Sequence, residues 1–77
     1  MSTERNPVLT PAQRHTLDTL VGMVDESGHS PRLHELAVEC GVSVTAVRAC
    51  LDKLETKGFI RRTPYVDRGI EILKVSA

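Results

Sequence analysis

The stretch from residue 43 to residue 53 carries side chains suited to contacting phosphates and base edges. On a helix, one face would carry Thr45, Ala46, Arg48, Ala49, Asp52 and Lys53, and Ser43 would lie at the helix start. Ser43 and Thr45 can donate to a phosphate or a base, and the free N–H groups of a helix N-terminus favour an anion. The planar, forked guanidinium group of Arg48 matches the O6 and N7 acceptors of guanine. The small side chains of Ala46 and Ala49 can contact thymine methyl groups or allow the helix to approach the bases closely. This pattern predicts a DNA-reading face, with an ordinary solvated helix face as the alternative.

Further basic side chains are candidates for contacts to a phosphate backbone, and for each the alternative is a solubilising surface charge. They are Arg32, Lys53, Lys57, Arg61, Arg62 and Arg68. The chain has no net charge, but residues 1–40 carry three basic and six acidic side chains, whereas residues 41–77 carry seven basic and four acidic. This asymmetry favours one anion-facing surface on a neutral protein.

Three amphipathic helices are predicted to position these side chains. The first begins at "TPAQ", residues 10–13, where Thr10 can cap, proline suits the first helical position and Gln13 completes a capping box. Apolar residues recur at 17, 20, 21 and 24, and Gly28 follows the helix end.

The second helix is predicted to begin at Ser30-Pro31, with apolar positions 33, 36, 37 and 40, and to end at Gly41. The third is capped by Ser43, has its apolar stripe at 47, 50, 51 and 54, and ends at Gly58. A short break at 41–43 makes the two helices cross at a fixed angle, which is the sequence form of a helix-turn-helix. We expect Val42 to point into that angle.

After Gly58 the period changes to that of short strands. Residues 59–63 and 69–75 alternate in polarity around a loop at 64–68, with Ile70 and Ile72 on one face. The predicted fold class is mainly α with a small β-hairpin: a winged helix-turn-helix of three helices plus a wing. Residues 1–9 are expected to form a flexible leader, and residues 10–75 the folded domain. Tyr65, at the tip of the wing, is expected either to stack on a partner or to pack on its own strands.

The chain resembles the N-terminal DNA-binding domain of LexA-type repressors. The resemblance rests on "LTPAQ" at 9–13, "SPRLHELAVECG" at 30–41, "LDKLETKGFI" at 51–60 and "RGIEIL" at 68–73, and spans about four-fifths of the chain. It implies a winged helix-turn-helix fold, operator binding as a dimer and transcriptional repression.

The sequence departs from that family in two places. Its turn, "GVSVTA", is one residue shorter than usual, and Arg48 and Ala49 stand where the family typically carries acidic residues. We therefore expect a base preference different from that of the SOS box. The family's self-cleaving peptidase domain and cleavage site are not among these residues, which suggests a small stand-alone regulator, with a domain excerpt as the alternative.

Enzymatic activity is not predicted, because no catalytic constellation or glycine-rich phosphate loop occurs and a short chain offers little scope for a deep pocket. Cys40 and Cys50 lie in apolar stripes and are expected to be buried thiols. No metal site is predicted from the histidines, which lack paired ligand spacing, and no cofactor or small-molecule effector is implied. Without a signal peptide or membrane span, the expected location is cytoplasmic and nucleoid-associated.

These observations predict a sequence-specific regulator of double-stranded DNA, a repressor. It would read the major groove with helix 43–57 and contact the backbone with the wing at 59–75. It would act as a homodimer, formed either in solution or only on DNA. The alternatives are a winged-helix protein-interaction module, such as an anti-repressor or an adaptor, and a DNA-bending accessory factor.

Overall fold

The order of the structural elements follows the sequence prediction. A computed structural model describes residues 9–63 and 69–74. The elements are α1 (Pro11–Ser27), α2 (Leu33–Cys40), α3 (Val44–Thr56), β1 (Ile60–Arg62) and β2 (Ile70–Ile72). Three helices followed by a two-stranded antiparallel hairpin confirm the predicted winged helix-turn-helix class. The leader at 1–8 and the loop at 64–68, with Tyr65 and Arg68, lie outside the described residues.

Helix α1 begins with the capping box that the sequence predicts. The Thr10 hydroxyl accepts from the Gln13 N–H, and the Gln13 side-chain oxygen accepts from the Thr10 N–H, both at 3.2 Å. Gly28 ends the helix with a φ of 81°. The N-terminus of α1 is therefore fixed by local chemistry, and Leu17 and Leu20 are fully buried on its inner face.

The predicted start of α2 at Ser30 is wrong. The helix begins at Leu33, and Arg32 is its N-cap. An arginine side chain has no hydrogen-bond acceptor, so the cap comes from the first turn of the helix instead. The Glu35 carboxylate accepts from the Arg32 N–H at 2.8 Å, while Ser30 is buried before the helix.

The turn between α2 and α3 is closed by backbone hydrogen bonds. Gly41 has a φ of 74°, its N–H donates to the Val38 carbonyl at 3.1 Å, and the Val42 N–H donates to the Ala37 carbonyl at 3.1 Å. This pair of bonds is a Schellman motif, which needs a left-handed residue at the glycine position. The motif leaves the Val42 side chain 46% exposed, so the expectation that it points between the helices is wrong.

The hydrophobic core lies between the three helices and beneath the hairpin. Its fully buried side chains are Leu17, Leu20, Leu36, Val47, Leu51, Leu54 and Ile60. Burying each such side chain stabilises the fold by about 1.5–3 kcal/mol before entropy is counted. Leu9, placed in the leader by sequence, is also buried against this core. The three buried residues of α3 fix which side of that helix faces inward.

The hairpin packs on the helices through one face. Its register pairs Ile60 with Ile72 and Arg61 with Glu71. Ile60 is buried and Ile70 and Ile72 pack against the core, which confirms the predicted inner face. Within the described residues, no helix is long and apolar enough to cross a membrane.

The turn at Gly41 generates a stability prediction with a matched control. Gly41→Ala should lower the free energy of unfolding by about 1–2 kcal/mol, because a Cβ disfavours the left-handed conformation. Gly22→Ala places the same methyl group inside α1 without a positive φ and should instead stabilise by about 0.5–1 kcal/mol. At both sites a Cβ would meet nothing within 4 Å. Urea unfolding of the two variants measures the difference, and equal effects would contradict the role of the turn.

Candidate nucleic-acid interface

The outward face of α3 carries most of the side chains that the sequence predicts for DNA contact. Thr45, Ala46, Arg48, Ala49, Asp52 and Lys53 are all exposed. On the opposite side of the helix, Val47, Leu51 and Leu54 are at most 1% exposed. Burial of this stripe leaves the polar face outside, so α3 is presented to solvent along its length.

The N-terminus of α3 is organised by Ser43. Its hydroxyl oxygen accepts from the Ala46 N–H at 3.1 Å, which confirms the predicted cap. The helix ends at Thr56 with Lys57 as its C-cap, close to the predicted end at Gly58. The exposed end of α3 thus combines N–H groups, a hydroxyl group and the small side chain of Ala46, an arrangement that favours an approaching anion.

Arg48 lies in the first half of α3 and points to solvent. Within the described residues it makes no hydrogen bond or ion pair. All the donors of its guanidinium group therefore remain available, and their planar fork can bind an acceptor pair such as the N7 and O6 atoms of guanine.

Arg62 is placed differently from the other predicted phosphate contacts, because it lies against α3. Its Nη2 group donates to a carboxylate oxygen of Asp52 and lies 3.0 Å from Oε1 of Glu55. Its Nε–H donates to the same Glu55 oxygen at 3.1 Å. The backbone N–H of Arg62 also donates to Glu55, at 3.4 Å. One arginine therefore ties β1 to two carboxylates on α3.

This cluster shifts the protonation equilibrium of the guanidinium group. Burial by itself would lower the pKa of Arg62, but the hydrogen bonds and negative charges of Asp52 and Glu55 outweigh it and raise that pKa. Arg62 thus stays charged, and its single positive charge is shared by the two carboxylates, Asp52 and Glu55, on α3.

The remaining predicted phosphate contacts lie on the hairpin, at the start of α2 and at the end of α3. Arg61 is exposed and pairs with Glu71 across the hairpin. Arg32 is exposed at the N-cap of α2 and, together with Arg62, lines a shallow groove of about 420 Å³ between α2, α3 and the hairpin. Lys57 donates to the Gln13 side chain at 2.7 Å, tying α3 to α1. Arg68 lies outside the described residues.

Sequence reasoning missed Glu55 and the link between Gln13 and Lys57. Glu55 follows Asp52 by three residues, so the two carboxylates share an edge of α3. That spacing alone does not indicate which element will supply the counter-charge. Gln13 and Lys57 are 44 residues apart, and only the packing of α1 on α3 brings them together.

The histidines and cysteines are the candidates for metal ligands and buried thiols. No group of three or more His, Cys, Asp or Glu side chains that could hold a metal ion occurs in the part of the chain that the structure describes. Cys40 and Cys50 are free thiols and only half-buried, so they are less enclosed than the sequence predicts.

Comparisons with known proteins identify one family. A sequence model of the family described as LexA DNA binding domain matches residues 6–69. The chain is 35% identical over 68 residues to a LexA repressor from Magnetococcus marinus, an alignment covering 88% of this chain and 29% of the relative. It is 37% identical over 68 residues to a LexA repressor from Frankia casuarinae, covering 87% and 27%.

A third relative, a LexA repressor from Bacillus mycoides, is 41% identical over 66 residues, covering 84% of this chain and 32% of the relative. The chain thus spans about three-tenths of the length of these curated relatives. The matched segment contains α1, α2, α3 and the first strand of the hairpin.

The cap at Ser43 gives a prediction that separates helix capping from other roles of this position. Ser43→Ala removes the acceptor for the Ala46 N–H and should cost about 1 kcal/mol of unfolding free energy. Ser43→Asp keeps an acceptor of the same reach and should stay within about 0.5 kcal/mol of the original chain. Thermal unfolding measures both. An equal loss in the two variants would show that the hydroxyl group matters for something other than the cap.

Proposed function

The chain belongs to the LexA DNA-binding domain family, and on that premise we propose that it binds double-stranded DNA with the exposed face of α3 in the major groove. The observation that carries this proposal is the exposure of Arg48 on a helix whose other side is buried. A major groove about 12 Å wide accepts an α-helix, and an arginine fork facing it can discriminate between bases.

Each exposed residue of the face then has a role that follows from its position. Ser43 and Thr45 meet a phosphate or a base edge near the helix N-terminus. Arg48 donates to guanine. The small side chains of Ala46 and Ala49 allow the helix backbone to approach and can contact thymine methyl groups.

The proposed phosphate contacts lie around the residues of α3 that are proposed to contact the bases. Lys53 lies farther along α3, and Arg61 projects from the outer face of β1. Arg32 stands at the start of α2, the helix that crosses the backbone in a helix-turn-helix complex. Such contacts fix the register of the protein on the duplex without reading sequence.

Repression of transcription is the biological role that best fits this binding mode. The named relatives are LexA repressors, and the aligned part of each is the segment that corresponds to this chain. A domain bound over a promoter excludes other proteins from the same major groove. We propose that this chain acts as a repressor by occupying its operator.

Operator binding by two copies is the proposed assembly. A single domain of this size contacts few phosphates, so its affinity is low and salt-sensitive. Two copies on adjacent half-sites raise the effective concentration of each other, provided that a contact between them forms on the DNA. A palindromic operator would then reflect the two-fold symmetry of the bound pair.

Substitutions of Arg48 test the base-reading role. Arg48→Ala should lower the preference for a selected duplex over a scrambled one by about 1–3 kcal/mol, because a bidentate pair to guanine is lost. Arg48→Lys keeps the charge but not the fork, so it should retain most of the affinity for scrambled DNA and lose most of the preference. Competition binding with labelled duplexes measures both quantities. If the preference of Arg48→Ala equals that of the original chain, another residue reads the sequence.

Selection from a random DNA pool tests the assembly. We expect inverted half-sites whose centres lie about 10 base pairs, or a multiple of that, apart, and log Kd should rise with log salt concentration with a slope of about 0.9 per phosphate contacted. A single unpaired half-site would rule out operator binding by two symmetric copies. Absent or salt-insensitive binding to every duplex would instead favour the protein-interaction module.

A further inference from the structure

Arg48 and Asp52 are one turn apart on the same edge of α3. Side chains at i and i+4 on a helix are neighbours, with Cβ atoms about 5–6 Å apart, and an arginine and an aspartate at this spacing attract each other. Without another partner for Asp52, the two would favour an ion pair on the surface of α3 by the modest amount typical of this spacing. Such a pair would occupy the guanidinium group that is proposed to read guanine.

The structure contains a different pairing. The Asp52 carboxylate is bound by Nη2 of Arg62 from the hairpin. Arg48 has no partner among residues 9–63 and 69–74. The positive charge of Arg62 on one oxygen of Asp52 weakens the attraction of that carboxylate for Arg48, and the Arg48 guanidinium group stays available.

Arg62 can hold Asp52 because its own position is fixed. Its Nε–H and Nη2 groups reach Glu55 at 3.1 and 3.0 Å, and its backbone N–H also points to Glu55. The register of the hairpin pairs Arg62 with Ile70, whose side chain packs against the core. The Arg62 side chain is only 28% exposed, against 59% for Asp52. A side chain held by several bonds loses less freedom when it takes one more partner.

We propose that Arg62 is a positioning residue for DNA recognition: it keeps Asp52 occupied and so leaves Arg48 available to the bases. This inference rests on the proposed function. It differs from the sequence prediction, in which Arg62 contacts a phosphate directly. In the positioning role, Arg62 acts through Asp52 and Arg48 and need not touch the DNA.

Loss of Arg62 has two consequences under this proposal. Asp52 becomes free to pair with Arg48, which lowers the preference for the selected sequence. Asp52 and Glu55 also become uncompensated negative charges beside the phosphates, which weakens binding to every sequence. Both consequences depend on the Asp52 carboxylate, so removing that charge should reverse them in large part.

A suppressor experiment separates the positioning role from a phosphate contact. Arg62→Gln should reduce the preference for a selected over a scrambled duplex by about twofold, the factor that corresponds to a modest i, i+4 ion pair. Adding Asp52→Asn to Arg62→Gln should return the preference to that of the original chain. If the double variant shows no recovery, the proposal is overturned.

Arg61 supplies the matched control. It follows Ile60 on the same strand, and its ion pair is with Glu71 on the hairpin, away from α3. Arg61→Gln should weaken binding to both duplexes equally and lower the salt slope by about 1, as expected of a phosphate contact. Asp52→Asn should not rescue it. Arg62→Gln behaving in this same way, without rescue, would assign Arg62 to the phosphate backbone.

A measurement without DNA tests the pairing itself. Hydrogen exchange of the arginine Nε–H groups, followed by NMR, should show Arg62 protected and Arg48 in fast exchange. In Arg62→Gln, Arg48 should gain protection, and in the double variant with Asp52→Asn it should lose that protection again. Unchanged exchange of Arg48 in Arg62→Gln would refute the proposal even if DNA binding is intact. Conversely, a chain that binds no duplex yet shows these exchange changes would refute only the proposed function.

Discussion

The presentation of α3 depends on the turn between α2 and α3. Gly41 takes a left-handed conformation, and the N–H groups of Gly41 and Val42 close the end of α2 within three residues. This tight closure restricts the angle between α2 and α3. Val47, Leu51 and Leu54 are directed into the core, and every residue on the other side of the helix faces solvent. The turn at Gly41 and the buried stripe of α3 together determine which side chains are available to a partner.

The protein has no overall excess of positive charge, so the charge on the surface of α3 is set by individual side chains and their ion pairs. The chain is neutral, yet Arg48 and Lys53 are exposed on α3 while the two acidic residues of the same helix, Asp52 and Glu55, share an ion pair with Arg62. A neutral protein gains little from long-range steering by a polyanion, since net charge governs the field at a distance. Its contacts with DNA must therefore be close and geometrically defined. A rigid helix face meets that requirement better than a flexible basic tail.

The features that could be predicted from the sequence are those that depend on interactions between residues close together in the chain. The caps at Thr10 and Ser43, the glycine at the end of α2 and the apolar stripe of α3 all depend on residues within a few positions of each other. The start of α2 was mispredicted because Ser30-Pro31 looks like a cap, whereas the carboxylate of Glu35 caps from inside the helix. The tie from Arg62 to Glu55 could not be predicted, because it depends on how the hairpin packs on α3. Its partners are seven residues apart but belong to different elements.

The separation between residues that hold the framework and residues exposed on α3 explains how one fold can accommodate different base preferences. Residues that set the angle of α3 are buried or lie in the turn, so the exposed positions can change without altering the framework. Arg48 occupies such a position, since it is exposed on the outward face of α3. A basic residue at 48 above an acidic residue at 52 creates an attraction within the helix that acidic residues at 48 would not. If Arg48 reads bases as we propose, the attraction of Asp52 for it has to be offset, and the ion pair of Asp52 with Arg62 on the hairpin does so from outside the helix.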